Sequence, residues 1–360
     1  MRIRIATKPE RGTLPPPDSL GFGRVFSDHM FRARYEPDLG WHDAAVVPRA
    51  PLALNPAAAV LHYGQAVFEG LKAFGTPTGK LSLFRPDKHA LRFIDSARRL
   101  CLPEVPADLF RQAVDALTWV DRDFVPRAPE TSLYLRPTLV GTEAFLGVRP
   151  STSAEFFVIA SPVGSYWQGG RRPLKLWVET EFCRAAPGGS GAAKTGGNYA
   201  ASLMAAEQAK KRGFDQVLWL DARTRSELEE VGTMNLFVRI GDTVLTPPLA
   251  GTILAGVTRD SVLVLLRDAG IAVEERAITL AEIEAAHARG SLAEIFGTGT
   301  GGLIAPVGSL GLGSRLINVG TGEEGEVTRR LYAELRAIQY GQAADRYGWI
   351  AEVRAPSLAG

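Results

Sequence analysis

The feature of the sequence that most constrains its fold is a hairpin pattern in the second half of the chain. Two strand-like stretches, Asn235 to Ile240 and Thr243 to Leu245, are separated by Gly241-Asp242, the kind of two-residue turn that joins antiparallel strands. A chain with such a hairpin does not form a purely parallel sheet. Apolar residues at helical spacing follow at Thr258 to Ala269 and at Leu280 to Ala288. We therefore predict an α+β or mixed α/β fold.

The rest of the chain alternates between strand and helix patterns in the same way. Strands are predicted at Ala45 to Val47, Val67 to Phe74, Leu133 to Val140, Phe156 to Ala160, Leu174 to Val178 and Gln216 to Leu220, and helices from Pro86, over Ala107 to Val120 and over Tyr199 to Arg212 with Asn198 as N-cap. A stretch rich in Gly and Arg, 164–173, is typical of a linker. We predict an N-terminal domain over 1–165, a linker over 166–175 and a C-terminal domain over 176–360.

Composition narrows the class of partner. The 41 Lys and Arg and the 39 Asp and Glu leave a net charge of +2, so no strong field favours nucleic acid or an anionic membrane, and a small molecule is the expected partner. The two cysteines, Cys101 and Cys183, form no metal-ligand or disulfide pattern. Residues 1–10 lack the apolar core of a signal peptide. We therefore predict a cytoplasmic protein without a metal site.

One lysine stands in surroundings that differ from those of the other lysines. Lys194 is flanked by Ala192, Ala193, Thr195 and two glycines, directly before a predicted helix, whereas the other lysines are expected on solvated surface. Scarce solvent and the positive end of a helix both lower the pKa of an amine, and a neutral lysine is what Schiff-base chemistry requires. A flexible loop lysine in water is the alternative.

Three glycine-rich segments have competing interpretations. The segment from Gly188 to Thr195 nearly matches a GxxxxGK[ST] phosphate loop, and the strand ending at Asp221 could hold magnesium. A nucleotide hydrolase is therefore an alternative, although Ala193 stands where that motif has glycine. Residues 297–302 satisfy GxGxxG without a clear strand before them, and form either an anion-binding nest or an ordinary turn. Residues 251–259 form either a phosphate-binding helix start or a plain one.

Several motifs, in order along the chain, resemble those of class IV pyridoxal-phosphate aminotransferases, and most closely the branched-chain-amino-acid aminotransferases. They are Phe68-Glu-Gly-Leu-Lys-Ala-Phe74, Leu83-Phe-Arg-Pro86, Tyr134-Leu-Arg-Pro-Thr138, Lys194-Thr-Gly-Gly-Asn-Tyr199 and Glu230-Val-Gly-Thr-Met-Asn235. The resemblance implies a fold type IV enzyme with a smaller N-terminal α/β domain and a larger C-terminal domain that has a mixed β-barrel-like core. It also implies a homodimer.

The resemblance implies pyridoxal 5'-phosphate as the cofactor. Lys194 would bind it covalently and then move a proton between the substrate Cα and the C4′ carbon of the cofactor. Glu230 would face the ring nitrogen, and Tyr199 would hydrogen-bond the phenolic oxygen. The other implied cofactor contacts are Arg92, Thr233, Val257, Thr258 and Thr300. From its helix position alone Arg92 is expected on the surface.

For substrates, the resemblance implies leucine, isoleucine or valine exchanging an amino group with 2-oxoglutarate, giving branched-chain 2-oxo acids and glutamate. The pocket walls would be Phe22, Tyr63, Phe68 and Tyr166. Tyr134 and Arg136 share one face of a strand and would reach the distal carboxylate of glutamate. Thr300 and Gly301 would hold the α-carboxylate. The alternatives that keep the cofactor are a D-amino-acid aminotransferase and an aminodeoxychorismate lyase, and a non-catalytic small-molecule sensor is another.

Overall fold

The computed structural model describes residues 2–166 and 170–356, which form two compact units. Unit 1 takes in 2–166, 193–196 and 336–356, and unit 2 takes in 170–192 and 197–335. Two stretches assigned above to the C-terminal domain, 193–196 and 336–356, thus pack with unit 1. Residues 167–169 of the predicted linker lie outside the described residues.

The secondary structure of the described residues is as follows. In chain order the strands are β1 (Arg4–Ile5), β2 (His29–Glu36), β3 (Gly40–Pro48), β4 (Ala66–Phe68), β5 (Leu71–Gly75), β6 (Leu81–Phe84), β7 (Ser132–Gly141), β8 (Ala154–Val163), β9 (Leu174–Glu179), β10 (Gln216–Leu220), β11 (Leu228–Val231), β12 (Met234–Ile240), β13 (Thr243–Thr246), β14 (Val273–Glu275), β15 (Leu292–Gly299), β16 (Leu303–Leu312), β17 (Arg315–Asn318) and β18 (Ile350–Glu352). The α-helices are α1 (Ala59–Tyr63), α2 (Pro86–Arg99), α3 (Ala107–Val120), α4 (Gly196–Lys211), α5 (Val257–Asp268), α6 (Leu280–Ala288) and α7 (Glu326–Gln339). In this part of the chain no helix has the length and hydropathy needed to span a membrane.

Unit 1 is built on one mostly antiparallel sheet. Its strands follow the order β1-β3-β2-β8-β7-β5-β6-β18, and β4 pairs with β7. Helices α2 and α3 pack together beside the sheet, and their apolar faces share one core with the strands. Leu133, Leu135 and Leu139 of β7 point into this core, so Tyr134 and Arg136 lie on the opposite face. The predicted division of β7 into an apolar and a polar face is confirmed.

The stretch predicted as one strand from Val67 to Phe74 is two strands, β4 and β5, with a break at Glu69-Gly70. A Cβ on Gly70 would lie 1.9 Å from the hydroxyl oxygen of Tyr134. Glycine at this position therefore leaves room for the Tyr134 ring against the backbone. At the break, the Phe68 amide donates to the Lys194 carbonyl and the Glu69 amide donates to the Pro137 carbonyl of β7.

Unit 2 contains a closed barrel of six strands. The ring runs β11-β10-β9-β16-β15-β12 and closes through the pairing of β11 with β12. Strand β9 is parallel to both of its neighbours, and the other pairs in the ring are antiparallel. Helices α5 and α6 pack against β15. The expectation of a mixed fold with a barrel-like core is confirmed.

Two turn predictions have different outcomes. The hairpin at Gly241-Asp242 is confirmed, since Ile240 pairs with Thr243 and Gly241 has φ +58°. The GxGxxG segment 297–302 is the end of β15 and its turn into β16, with Gly299 opposite Leu303. The expectation that no strand leads into it was wrong, because small residues carry little strand signal although they fit a crowded barrel wall.

The predicted helix ends also differ in outcome. Helices α3 and α6 have the predicted bounds, and the Thr279 side chain accepts from the Glu282 amide at the start of α6. The prediction that Asn198 is an N-cap was wrong, because α4 begins at Gly196. The Asn198 side chain instead bonds Ser190, donating to its carbonyl at 2.8 Å and accepting from its hydroxyl at 2.7 Å. Asn198 therefore ties the preceding loop to the helix.

Candidate active site

The backbone of Lys194 is fixed from two sides within unit 1. Its amide donates to the Ser96 hydroxyl of α2 at 2.9 Å, and its carbonyl accepts from the Phe68 amide of β4 at 3.0 Å. The next residue, Thr195, donates its hydroxyl to the Ala66 carbonyl at 2.8 Å. Residues 193–196 therefore run alongside β4, which sets the starting point of the Lys194 side chain.

The Lys194 side chain lies among aromatic and charged groups. Its Nζ is 5.0 Å from the centre of the Phe68 ring. Burial, aided by the nearby cation Arg92, lowers the pKa of the Lys194 amine to about 8, although Glu69 acts in the opposite direction. A lysine of this kind is partly neutral near pH 8 and is a competent nucleophile. The structure thus favours the reactive lysine over the solvated loop lysine.

Arg92 is not the surface residue that its helix position suggested. Its side chain is only 11% exposed, and its guanidinium bonds the buried Glu69 carboxylate through Nε at 2.6 Å and Nη2 at 2.9 Å. His89 and Ser96, on the same side of α2, are also buried. Helix α2 therefore buries two faces, one apolar and one polar. The apolar periodicity of the sequence predicts burial of the apolar face only. Glu69 and His89 were not predicted as site residues.

An arginine surrounded by aromatic rings lies on the polar face of β7. Arg136 is 4.7 Å from the centre of the Phe68 ring, and its Nη2 donates to the Tyr134 hydroxyl at 3.0 Å. Phe22 packs edge-on against Tyr134 and Tyr166, with ring centres 5.0 and 5.4 Å apart. The buried Nε of Arg136 has no hydrogen-bond acceptor in the described part of the chain. This group has apolar walls and one cation that can receive an anion.

Two further residues of unit 1 differ from expectation. Tyr63 lies at the end of α1, and its hydroxyl donates to the Leu146 carbonyl. Its side chain therefore contacts the loop around Leu146, which none of the sequence motifs includes.

Lys72 was expected on solvated surface, but it lies opposite Tyr134 in the β5–β7 pairing and is only partly exposed. Burial lowers the pKa of the Lys72 amine to about 8. The register of β4 and β5 against β7 is the same on both sides of the break, and it places Lys72 on the polar face of the sheet beside Tyr134.

In unit 2, Glu230 is held at the floor of a shallow pocket. Its Oε1 accepts from the Leu254 amide at 2.9 Å and from Asn235 Nδ2 at 3.4 Å. Its Oε2 lies 3.2 Å from Nε of Arg184, a buried arginine that no sequence signal distinguished. The pocket is lined by Arg184, Asn198, Tyr199, Ser202, Glu230, Gly232, Thr233, Asn235 and Leu254. The predicted residues Tyr199, Glu230 and Thr233 are therefore brought together, with one carboxylate fixed in place.

The predicted anion contacts of unit 2 lie at two backbone turns. Val257 and Thr258 form the first turn of α5, where helix amides have no partner within the helix. A Cβ on Gly256 would lie 1.9 Å from Asn235 Oδ1, so glycine is required where the chain passes from the Glu230 pocket into α5. Thr300 and Gly301 lie in the turn between β15 and β16.

The phosphate-loop alternative finds no support in the geometry. The Asp221 carboxylate accepts from the backbone amides of its own turn, those of Arg223, Thr224, Ser226 and Glu227. These bonds hold the pKa of Asp221 below its ordinary value despite partial burial. This side chain closes a turn, and the described residues contain no cluster of three or more His, Cys, Asp or Glu suited to a metal ion.

Comparison with known proteins gives the family. Residues 66–310 match the model described as Amino-transferase class IV. The chain is 46% identical over 353 residues to branched-chain-amino-acid aminotransferase 2 of Bacillus subtilis (strain 168), covering 98% of this chain and 97% of the relative. It is 48% identical over 331 residues to a probable branched-chain-amino-acid aminotransferase of Streptomyces coelicolor, covering 92% and 91%. The chain belongs to the class IV aminotransferase family.

A solved structure agrees with this assignment. The fold is similar to that of the branched-chain amino acid aminotransferase from Escherichia coli, with a TM-score of 0.74, 27% identity and coverage of 91% of this chain and 99% of the other. Other solved branched-chain amino acid aminotransferases that match this chain contain pyridoxamine 5'-phosphate, N-(5'-phosphopyridoxyl)-L-glutamate or 4-methylvaleric acid. The resemblance inferred from the motifs, the fold class and the prediction of a transaminase are confirmed.

The lowered pKa of Lys194 predicts a pH-dependent stability. Between pH 8 and 10.5 the unfolded chain binds a proton at this lysine that the folded chain does not, so the stability of the folded state rises with pH in that window. We expect cofactor-free wild type to gain up to about 3 kcal/mol relative to Lys194→Met from pH 8 to 10.5. Urea unfolding at several pH values measures this difference, and a difference that is constant with pH would contradict the lowered pKa.

Proposed function

We propose that this chain is a branched-chain-amino-acid aminotransferase that uses pyridoxal 5'-phosphate and exchanges the amino group of leucine, isoleucine or valine with 2-oxoglutarate. The observation that carries the proposal is the Lys194 amine, fixed by backbone bonds to Ser96 and Phe68 and held partly neutral at pH 8. The names of the relatives support the substrate class. The products are a branched-chain 2-oxo acid and glutamate.

The residues present fit the cofactor. An aldehyde needs a neutral amine, which Lys194 supplies. A protonated ring nitrogen needs a fixed carboxylate, and Glu230 has one buried and oriented by Leu254 and Asn235. A phosphate binds to a guanidinium such as that of Arg92 in unit 1, or to the amides at a helix start such as that of α5 in unit 2. The resemblance implies that both contact the same phosphate. We assign Tyr199 to the phenolic oxygen and Thr233 and Thr300 to further cofactor contacts.

Each of these groups has a distinct role in the proposed reaction. When bound, the cofactor supplies an aromatic ring that accepts the electron pair released at the substrate Cα. Glu230 would hold the proton of the ring nitrogen in place. Arg92 and Thr258 would each contact the phosphate. Lys194 would accept the substrate's Cα proton on Nζ and deliver it to the C4′ carbon of the cofactor, because its lowered pKa lets the amine act as base near neutral pH.

The group around Arg136 accounts for two kinds of side chain. Phe22, Phe68 and Tyr166 offer apolar walls to an isobutyl or sec-butyl group, while Arg136 receives the distal carboxylate of glutamate. Without that carboxylate, the Arg136 cation still has the Phe68 ring and the Tyr134 hydroxyl as partners. The pocket therefore binds a leucine side chain without leaving a cation wholly unpartnered. Thr300 and Gly301 would hold the α-carboxylate.

The cofactor and the reactive lysine can be tested with one absorption spectrum. We expect a yellow complex of wild type with pyridoxal phosphate that bleaches with L-leucine and returns with 2-oxoglutarate, and no such cycle for Lys194→Ala. D-leucine should leave the band unchanged, which separates this proposal from a D-amino-acid aminotransferase. A protein that stays colourless, or bleaches with D-leucine alone, would contradict it.

Arg136 predicts a selective change in specificity. In Arg136→Met we expect kcat/KM for 2-oxoglutarate to fall by roughly 10- to 100-fold, because a charge-assisted hydrogen bond of about 1.5–3 kcal/mol is lost, while the first half-reaction with leucine changes little. Stopped-flow measurement of each half-reaction gives both values. Arg34→Met, which changes an exposed arginine of β2, is the matched control. Equal losses with both substrates would assign Arg136 a structural role.

We further propose a cytoplasmic homodimer, on the resemblance and on an exposed apolar patch. Leu61, Leu146 and Val148 are 57%, 63% and 85% exposed. The Phe145 amide donates to the Ala57 carbonyl, so the loop 145–148 lies against the segment that leads into α1. A patch of this kind on one unit is typical of an association surface.

The patch predicts a change in oligomeric state. Val148→Asp combined with Leu146→Asp should convert a dimer to a monomer in sedimentation velocity, because two charges would be buried without partners. Leu316→Asp, at an exposed residue of β17, should leave the dimer intact. A monomeric wild type, or a dimer that survives the double substitution, would contradict the proposal.

A further inference from the structure

Glu69 is a fully buried carboxylate whose two oxygens are occupied by cationic and polar donors. Oε1 accepts from Arg92 Nε at 2.6 Å. Oε2 accepts from Arg92 Nη2 at 2.9 Å, from His89 Nδ1 at 2.7 Å and from the Gly70 amide at 3.1 Å. Burial alone would raise the pKa of this carboxyl, but Arg92 and His89 together hold it below its ordinary value. Glu69 is therefore ionised and fully engaged.

His89 is fixed by the same carboxylate. Its side chain is buried, and burial, together with the cations Arg92 and Lys194, lowers its pKa although Glu69 acts in the opposite direction. A neutral imidazole carries one proton, and an ionised carboxylate only accepts, so that proton is on Nδ1 and is donated to Glu69. The imidazole then restrains the carboxylate without adding a second positive charge beside Arg92.

The bonding pattern orients the arginine. Glu69 takes the edge of the guanidinium formed by Nε and Nη2, so the Nη1 side points away from Glu69. An arginine on a helix otherwise samples many rotamers, and each fixed side chain gives up rotational entropy. Because Glu69 already holds Arg92 in one orientation, binding of a ligand to Arg92 does not cost this rotational entropy again.

We propose that Glu69, restrained by His89, is a positioning residue that presents Arg92 to the phosphate group of the cofactor. The inference rests on the proposed function, which names that phosphate as the partner of Arg92. Glu69 acts through Arg92 and has no contact with the substrate. It also offsets the charge of Arg92 near Lys194, whose pKa the two residues move in opposite directions.

The test compares two aldehydes that differ only in the phosphate. Affinities of cofactor-free wild type and Glu69→Gln for pyridoxal phosphate and for pyridoxal are measured by absorbance titration. We expect Glu69→Gln to weaken binding of pyridoxal phosphate by roughly 10- to 100-fold, the range seen when partners that orient metal ligands are removed. Binding of pyridoxal should not be weakened, because it has no phosphate and because loss of the Glu69 charge leaves more of the Lys194 amine neutral. Glu155→Gln, which neutralises another buried carboxylate of unit 1 paired with Arg32, is the matched control.

A double-mutant cycle shows whether Glu69 works through Arg92. In an Arg92→Lys background the added loss from Glu69→Gln should vanish, because lysine has no planar fork to orient. If Glu69→Gln fails to fold, as judged by circular dichroism, His89→Gln is compared in the same way and should weaken binding of the phosphorylated aldehyde alone. Equal weakening with both aldehydes, or no weakening, would overturn the inference while the coloured wild-type complex upholds the proposed function. If neither aldehyde forms a complex with wild type, both are overturned.

Discussion

The pair of backbone hydrogen bonds on Lys194 is the constraint on which the rest of the candidate site depends. One ties the residue to Ser96 of α2 and the other to Phe68 of β4. The next residue, Glu69, lies on the opposite side of the strand from Phe68 and bonds Arg92 of α2. Two consecutive residues thus act together: Phe68 bonds the lysine backbone and supplies the ring beside its amine, and Glu69 orients a cation. A small displacement of this stretch would disturb all of these contacts together, since catalytic groups tolerate little misplacement.

Charge balance around Lys194 sets how far the pKa of its amine falls. Burial and the cations Arg92 and Arg136 disfavour the protonated amine, while Glu69 favours it. Without Glu69, the two guanidinium groups would be less compensated and the cluster would be costly to bury. With it, the pKa of Lys194 falls only to about 8, which suits a residue that must act both as nucleophile and as base near neutral pH.

Sequence patterns predicted the helices of strong periodicity, the alternating faces of β7 and the hairpin at Gly241-Asp242, because each depends on local geometry. They did not predict the buried polar face of α2, since Arg92 is buried only through its pairing with Glu69, 23 residues away along the chain. They also did not predict the break between β4 and β5, or that the Tyr134 hydroxyl lies so close to Gly70 that only glycine fits there, since this is a tertiary contact that no local pattern encodes. Arg184 beside Glu230 is likewise a tertiary contact. The motif residues were found through resemblance, and their partners required the structure.

Two lysines of unit 1, Lys72 and Lys194, have pKa values lowered to about 8 by burial, so a lowered pKa alone does not identify the reactive one. The measurement that decides this is borohydride reduction of the protein loaded with pyridoxal phosphate, followed by peptide mapping by mass spectrometry. Because the backbone of Lys194 is held by hydrogen bonds to Ser96 and Phe68, we expect a single phosphopyridoxyl label on Lys194 and none on Lys72. A label on Lys72, or an unlabelled Lys194 in a yellow protein, would contradict the account.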